Sequence, residues 1–422
     1  MAGPLPSRLL PDSADQRGGR LRLGGCDVLD LAAEFGTPLF VYDEDHLRSR
    51  CREAVAAFPD GAAYATKAFL CQEMARLAHE EGMLLDVATG GEMHVALSAG
   101  VPADRLVLHG NNKSGEELRA GLAAGVGRLV IDSFDEIDRL EGLHRQGLPP
   151  ARALLRITPG VEAHTHEYVA TGHDDTKFGF TVSTGAAGRA VERARSSQAI
   201  ELLGFHAHIG SQVFRLGSLR DAAGVVARFA LPFTPAEVSL GGGLGVPYVE
   251  GEEAPTISEW GEAITSACRA EGLEARLLAE PGRSIVAAAA VTLYTVGTIK
   301  DIPDVRTYVA VDGGMSDNPR PVLYGSGYET FLPRALLAER TRPVTVVGKH
   351  CESGDVLVRR GWVPDDIVVG DVLATPVTGA YGHSMGSSYN KVPRPAVVFC
   401  TGGRARVVVR RETLDDLVRL DT

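Results

Sequence analysis

AAYATKAFLCQEMARLAHEEGMLLDVATGGEMHVALSAGVPADRLVLHG (residues 62–110) holds three short apolar runs, AAYAT, LLDVA and LVLHG, separated by stretches with the length and spacing of helices. The alternation continues outward through LVIDS (129–133), ALLRIT (153–158), LGFHAHIG (203–210), VSLGGG (238–243) and LLAEPG (277–282), which makes eight runs. Apolar strands joined by helices must be covered on both faces, so eight such units predict an α/β fold with a closed parallel (β/α)8 barrel of the TIM type. Sites in such barrels lie at the C-terminal ends of the strands. Here those ends carry Lys67, Asp86, His109, Asp132, Arg156, His208, Gly241, Gly242, Gly243 and Glu280, a set that core packing alone would not select.

The 422 residues exceed the roughly 250 of a typical barrel, so a second domain is required. Past Tyr294 the texture changes to short strands between Gly, Pro and Asp turns, such as YVAVDGG, PVTVVGKH and AVVFCTGG, and ends in ETLDDLVRL, which reads as a short helix. The expected division is a barrel over 42–294 and a mainly β domain over 295–422, completed by a strand and helix from residues 20–41. The first twenty residues read as flexible and lack the apolar core of a secretion signal. Acidic residues outnumber basic ones 54 to 43, with no long basic run, which excludes nucleic acid and anionic membranes as natural partners and leaves a small molecule. Six scattered cysteines without a CxxC pair argue against a zinc site or a disulfide framework and for a reducing cytoplasm; no metal is expected. The longest apolar stretch, 285–296, is too short to span a bilayer.

The last two barrel loops, GGGLG (241–245) and EPGRS (280–284), can present unhindered backbone N–H groups where barrel enzymes often hold a phosphate. Glycines alone serve any tight turn; the lysine after the first run narrows the reading. Pyridoxal 5'-phosphate needs an amine for its Schiff base, a flat group against its ring and a charge partner for its pyridine nitrogen, and Lys67, His208 and Glu280 can supply one each. Taken singly, these are ordinarily a surface charge, a core histidine and a turn residue. Together on one rim, they point to a site.

The strings YATKAF, HIGSQ (208–212), GGGLG, EPGRS, VDGGMSDNPRPVLYG (311–325), CESGD (351–355) and GAYGHSMGSSYN (379–390) resemble the diaminopimelate decarboxylases, of the alanine-racemase-like group of pyridoxal-phosphate enzymes. Phe69 departs from the Asn that many relatives carry there. The resemblance implies Lys67 as the Schiff-base lysine and His208 against the ring, with Ser211, Gly241, Gly242 and Gly243 near the phosphate. Pro281, Gly282, Arg283 and Tyr381 complete the cofactor contacts. It implies Glu280 at the pyridine nitrogen, where a carboxylate favours a protonated ring and hence loss of carbon dioxide; racemases of this fold typically carry an arginine there, which leaves a weaker electron sink. It further implies Cys351 as the acid that protonates the carbanion carbon, and Arg283, Arg320, Tyr324, Glu352 and Tyr381 as substrate contacts. Two arginines suit a second, distal carboxylate and an acidic residue suits a distal ammonium, a combination that meso-2,6-diaminopimelate carries. Within this group the cysteine loop reaches a neighbouring subunit's barrel, which implies a homodimer with shared sites.

Other readings of the same residues are a decarboxylase of ornithine, arginine or a carrier-tethered amino acid, a racemase, disfavoured by Glu280, and a non-catalytic pyridoxal-phosphate-binding protein, disfavoured by the β domain. The loop 161–180, VEAHTHEYVATGHDDTKFGF, is expected to shape the pocket.

Overall fold

The structure, a computed structural model, describes residues 2–160, 175–208 and 210–422. Residues 161–174 of the loop expected to shape the pocket, and Ile209 of HIGSQ, lie outside the described residues. The chain divides into two compact units, one of Arg50–Gly245 with Ala254–Ser284, the other of Met1–Ser49, Val246–Glu253 and Ile285–Thr422.

The first unit contains the eight parallel strands: β1 (Ala63–Ala65), β2 (Leu84–Val87), β3 (Leu106–Leu108), β4 (Arg128–Ile131), β5 (Ala151–Thr158), β6 (Ile200–His206), β7 (Glu237–Ser239) and β8 (Arg276–Leu278), paired in sequence order. A bridge between Ala62 and Ala279 closes the ring, with the Ala63 N–H donating to the Ala279 carbonyl at 2.8 Å and that of Ala65 to Pro281 at 3.1 Å. Alternate residues of a strand share a face. A buried apolar layer of Ala63, Leu84, Val107, Val130, Leu154, Leu203 and Leu278 draws one residue from each of seven strands. Asp86, His109, Asp132, Arg156 and Glu280 each follow a member of this layer by two residues, so the same inward face ends in titratable groups at the rim. On β6 a register shift between Leu202 and Gly204 changes the parity, after which the even-numbered His206 turns toward Glu280. Gly204 is required there, since a Cβ would lie 1.8 Å from the Glu237 carbonyl. The covering helices start where the sequence places side-chain caps; Ser114 and Thr256 each form a capping box with the Glu three residues on.

In the second unit, Leu39–Asp43 lies at the centre of an eight-stranded sheet, antiparallel to Ala290–Ile302 and parallel to Ala396–Thr401. Arg306–Val311 and Arg342–Val347 also pair in parallel, because a long excursion carrying the helix Arg320–Tyr324 separates them. Two expectations are corrected. The N-terminal residues are ordered rather than flexible: Leu5, Leu9 and Leu10 are buried, and Asp15–Arg17 pairs with Arg20–Leu23. The C-terminal ETLDDLVRL forms only the single 3-10 turn Asp415–Leu417, because Leu414, Val418 and Leu420 find no core in this unit and stay exposed.

Candidate active site

At the mouth of the barrel, Glu280 is 7 % exposed and accepts from His206 Nε2 at 2.9 Å and from the Ser239 hydroxyl at 2.8 Å. His109 Nε2 stands 3.3 Å from the same carboxylate and 3.6 Å from Asp86, with its ring edge-on to that of His206. Burial works against a charge on Glu280, but the two imidazoles facing it hold its carboxyl well below the ordinary carboxylate range. Burial keeps His206 neutral, its imidazolium pushed down to about 4, so it serves Glu280 as an N–H donor rather than a counter-charge. Burial also opposes a charge on His109, but the Asp86 and Glu280 carboxylates outweigh it and raise its affinity for a proton. Burial lifts Asp86 to about 6, with His109 opposing the rise. No lysine or arginine forms an ion pair with Glu280 among the described residues, which leaves an anion poised for a cation at the barrel mouth.

Two lysines follow the rim, and the fold separates their roles. Lys113 is buried, with Nζ 2.9 Å from Glu136 and donating to the carbonyls of Gly110 and Val130 at 2.5 and 2.8 Å. Lys67 is exposed between buried Thr66 and Ala68, in a turn fixed by hydrogen bonds from Tyr64 to the Phe69 carbonyl at 2.6 Å and from Thr66 to the Asp86 carbonyl at 2.8 Å. Of the two, Lys113 is buried in an ion pair and Lys67 is exposed.

His208 accepts from the Gly242 N–H at Nδ1, at 3.1 Å, which assigns the ring proton to Nε2. Burial, reinforced by the positive charge of Lys67, holds it well below the usual imidazole range, so a neutral flat ring lines the site. The three glycines are demanded by the backbone itself: a Cβ would lie 2.6 Å from the Ala207 carbonyl at Gly241, 2.4 Å from the Glu280 carbonyl at Gly242 and 2.6 Å from the Gly210 carbonyl at Gly243. The Gly241 N–H donates to Ser239 Oγ at 3.3 Å, so two of the three amides already have partners within the protein. Gly282 is needed where a Cβ would meet the Ala65 Cβ at 2.9 Å. Beside it Arg283 donates to Ser211 Oγ at 2.8 Å. His109, His206 and Glu280 offer atoms within 4.8 Å of one another, a set that could ligate a metal. The carboxylate already accepts hydrogen bonds from His206 and Ser239.

In the β unit, Asp355 organises the cysteine loop by accepting from the N–H groups of Met315 at 2.7 Å and His350 at 2.8 Å. Asn390 accepts from the Cys351 N–H at 3.3 Å and faces His350 Nδ1 at 3.2 Å. Cys351 and Glu352 are thereby exposed at the loop's tip, while the other five cysteines are buried. Arg320 is 5 % exposed, stacks 4.2 Å from the Tyr248 ring centroid and donates to the Tyr328 hydroxyl at 2.6 Å. Tyr324 and Tyr381 are half-buried, and Tyr381 holds a left-handed φ of 59°, a conformation that side chains adopt mainly where the surrounding structure imposes it.

Sequence reasoning missed His206, Ser239, Tyr248, Tyr328 and Asn390. The spacing of His206 and His208 in one apolar run was a signal for the first; the others had none.

A buried carboxylate without a strong cation, a presented lysine, a neutral imidazole face and glycine loops at one barrel mouth define a class, the barrel enzymes that bind an aldehyde cofactor through a lysine. The donor set fits pyridoxal phosphate. Residues 44–287 match the model of the pyridoxal-dependent decarboxylase family, pyridoxal binding domain. The chain is 49% identical to the diaminopimelate decarboxylase of Mycobacterium tuberculosis over 428 residues, covering 96% of this chain and 95% of that one. It is 45% identical to that of Bacillus subtilis, covering 97% of each. Its fold is similar to a crystal structure of diaminopimelate decarboxylase from M. jannaschii in co-complex with L-lysine, with a TM-score of 0.91, 32% identity and coverage of 97% of this chain and 98% of that one. The chain belongs to the diaminopimelate decarboxylase family of pyridoxal-phosphate enzymes.

Proposed function

We infer that this chain is a carboxy-lyase that takes one carboxylate from meso-2,6-diaminopimelate as carbon dioxide and leaves L-lysine, with pyridoxal 5'-phosphate as cofactor. The observation that carries the reaction type is Glu280, kept anionic by His206, Ser239 and His109. When bound, the cofactor supplies a ring that accepts the electron pair of the breaking carbon–carbon bond. Glu280 holds a proton at the ring nitrogen, which strengthens that acceptance. Lys67 would carry the aldehyde, His208 would face the ring, and Ser211, Gly241, Gly242, Gly243, Pro281, Gly282, Arg283 and Tyr381 would hold the cofactor's remaining groups. The proton that replaces the lost carboxylate comes from the Cys351 thiol.

Substrate choice rests on Arg320, a buried guanidinium with no carboxylate partner among the described residues. A buried cation in that state gains most from an anionic ligand, and a distal carboxylate is that ligand. Arg283, Tyr324 and Tyr381 take part in the same grip, and Glu352 receives the distal ammonium. Plain diamino acids such as ornithine lack the carboxylate.

We propose a homodimer in which one protomer's barrel works with Cys351 and Glu352 of its partner, supported by the exposure of both residues on a loop anchored by Asp355 and Asn390. The absence of a disulfide among the six cysteines suits a cytoplasmic setting. No helix among the described residues is long and apolar enough to cross a membrane. Turnover of diaminopimelate, ornithine, arginine and lysine by the holoenzyme tests the substrate assignment: kcat/KM for diaminopimelate should lead the others by at least about 100-fold. Comparable values for ornithine would overturn it.

A further inference from the structure

The reading of Arg320 as the distal-carboxylate group leaves unexplained how a guanidinium stays buried and rigid without a carboxylate beside it. Its surroundings answer in part. The Tyr248 ring lies under the guanidinium carbon at 4.2 Å, the Tyr328 ring lies 5.6 Å away, and the two tyrosines meet edge-to-face with centroids 5.2 Å apart. The Tyr328 hydroxyl occupies Nη1 alone, so the Nε and Nη2 edge makes no hydrogen bond among the described residues. That edge is one of the two geometries by which arginine binds a carboxylate with two parallel bonds.

The chemistry of the cage matters as much as its shape. An Asp or Glu beside Arg320 would stabilise the buried cation by neutralising it, and would then compete with any incoming anion. Aromatic faces offset part of the desolvation while leaving the charge in place. Neutral partners keep the guanidinium hungry for a carboxylate.

The two tyrosines are themselves held as a pair. Tyr248 lies on the segment Val246–Glu253, whose Glu250 N–H donates to Glu329 at 3.1 Å, one residue from Tyr328. Arg340, 1 % exposed, donates to the Glu329 carboxylate at 3.1 Å and to that of Glu250, tying both segments together. Gly327 allows the close approach, since a Cβ there would meet Val249 Cγ1 at 3.0 Å. Tyr248 also accepts no freedom at its own backbone, its N–H donating to Glu252 at 2.7 Å.

We propose that Tyr248 and Tyr328 are specificity-determining positioning residues, which fix the Arg320 guanidinium without neutralising it and so set the preference for a ligand with a distal carboxylate. The inference rests on Arg320 gripping that carboxylate. L-lysine and 1,5-diaminopentane differ only by such a carboxylate, so their inhibition constants on the holoenzyme read the grip directly.

Tyr328→Phe should weaken L-lysine about tenfold and leave 1,5-diaminopentane within about twofold, the loss expected for one hydrogen bond to a charged group. KM for diaminopimelate should rise far more than kcat falls. Tyr248→Leu should act in the same way, and Tyr248→Phe, which keeps the aromatic face, should recover most of the L-lysine affinity. If Tyr248→Leu does not fold, Tyr328→Phe, which removes one oxygen, carries the test. Equal weakening of both ligands would mean a merely structural role and overturn the proposal. So would unchanged L-lysine binding in Tyr328→Phe while Arg320→Met loses it. If Arg320→Met itself binds L-lysine normally, the reading of Arg320 fails, a result distinct from failure of the cage alone.

Discussion

His206 Nε2 lies 2.9 Å from Glu280 Oε2, and the donor is a neutral imidazole, so the carboxylate is held in place without being neutralised. A carboxylate held by the neutral His206 and by the Ser239 hydroxyl keeps its attraction for a cationic ring nitrogen. His206→Ala removes a buried hydrogen bond to this charge and should weaken cofactor binding about tenfold, read by fluorescence titration of the apoprotein. Unchanged affinity would remove His206 from the cofactor site.

The two rim lysines should respond oppositely. Lys67→Ala should abolish the yellow colour of the holoenzyme and its fixation by borohydride, with little change in thermal stability. Lys113→Ala strands the buried Glu136 carboxylate and should destabilise the fold by about 3 to 5 kcal/mol. Peptide mapping of the reduced adduct to Lys113 would reverse the assignment.

Acid should destabilise the β unit through His383. Burial, reinforced by Arg394, pushes its imidazolium down to about 4 from an ordinary 6.5. Because the unfolded chain takes the proton first, stability present above pH 6.5 is lost as pH falls toward 4, amounting to roughly 3 kcal/mol. His383→Phe should flatten the profile of urea midpoint against pH over that window. An unaltered slope would place the acid sensitivity elsewhere.

Subunit mixing tests the partner's role for Cys351. Cys351→Ala should bind cofactor and substrate but turn over about 100- to 10,000-fold more slowly, the usual loss for a positioned acid. Mixed with Lys67→Ala, it should regain about a quarter of wild-type activity, since half of randomly assorted dimers are mixed and each has one intact site. Two variants that stay inactive after verified exchange would place the whole site within one chain.

Much of this was legible because strands have period two. Leu84 and Asp86, Val107 and His109, Leu278 and Glu280 are each an inward apolar residue followed by an inward rim residue, a pattern visible in the runs themselves. His206 escaped because the irregularity at Leu202 and Gly204 changes parity in mid-strand, and such shifts are set by pairing with neighbours distant in sequence. Tyr248 and Tyr328 escaped because 80 residues separate them and each sits in a loop of no regular pattern. The N-terminal residues read as flexible because their polar turns mask Leu5, Leu9 and Leu10, which the fold buries.

Whether the barrel with Glu280 at its mouth breaks a carbon–carbon bond rather than inverting a centre is read by supplying the holoenzyme with meso-diaminopimelate labelled in both carboxyl carbons. One labelled carbon dioxide should appear for each L-lysine formed, with the second label retained in the lysine. Diaminopimelate recovered with altered stereochemistry and no carbon dioxide would mean inversion instead of bond cleavage.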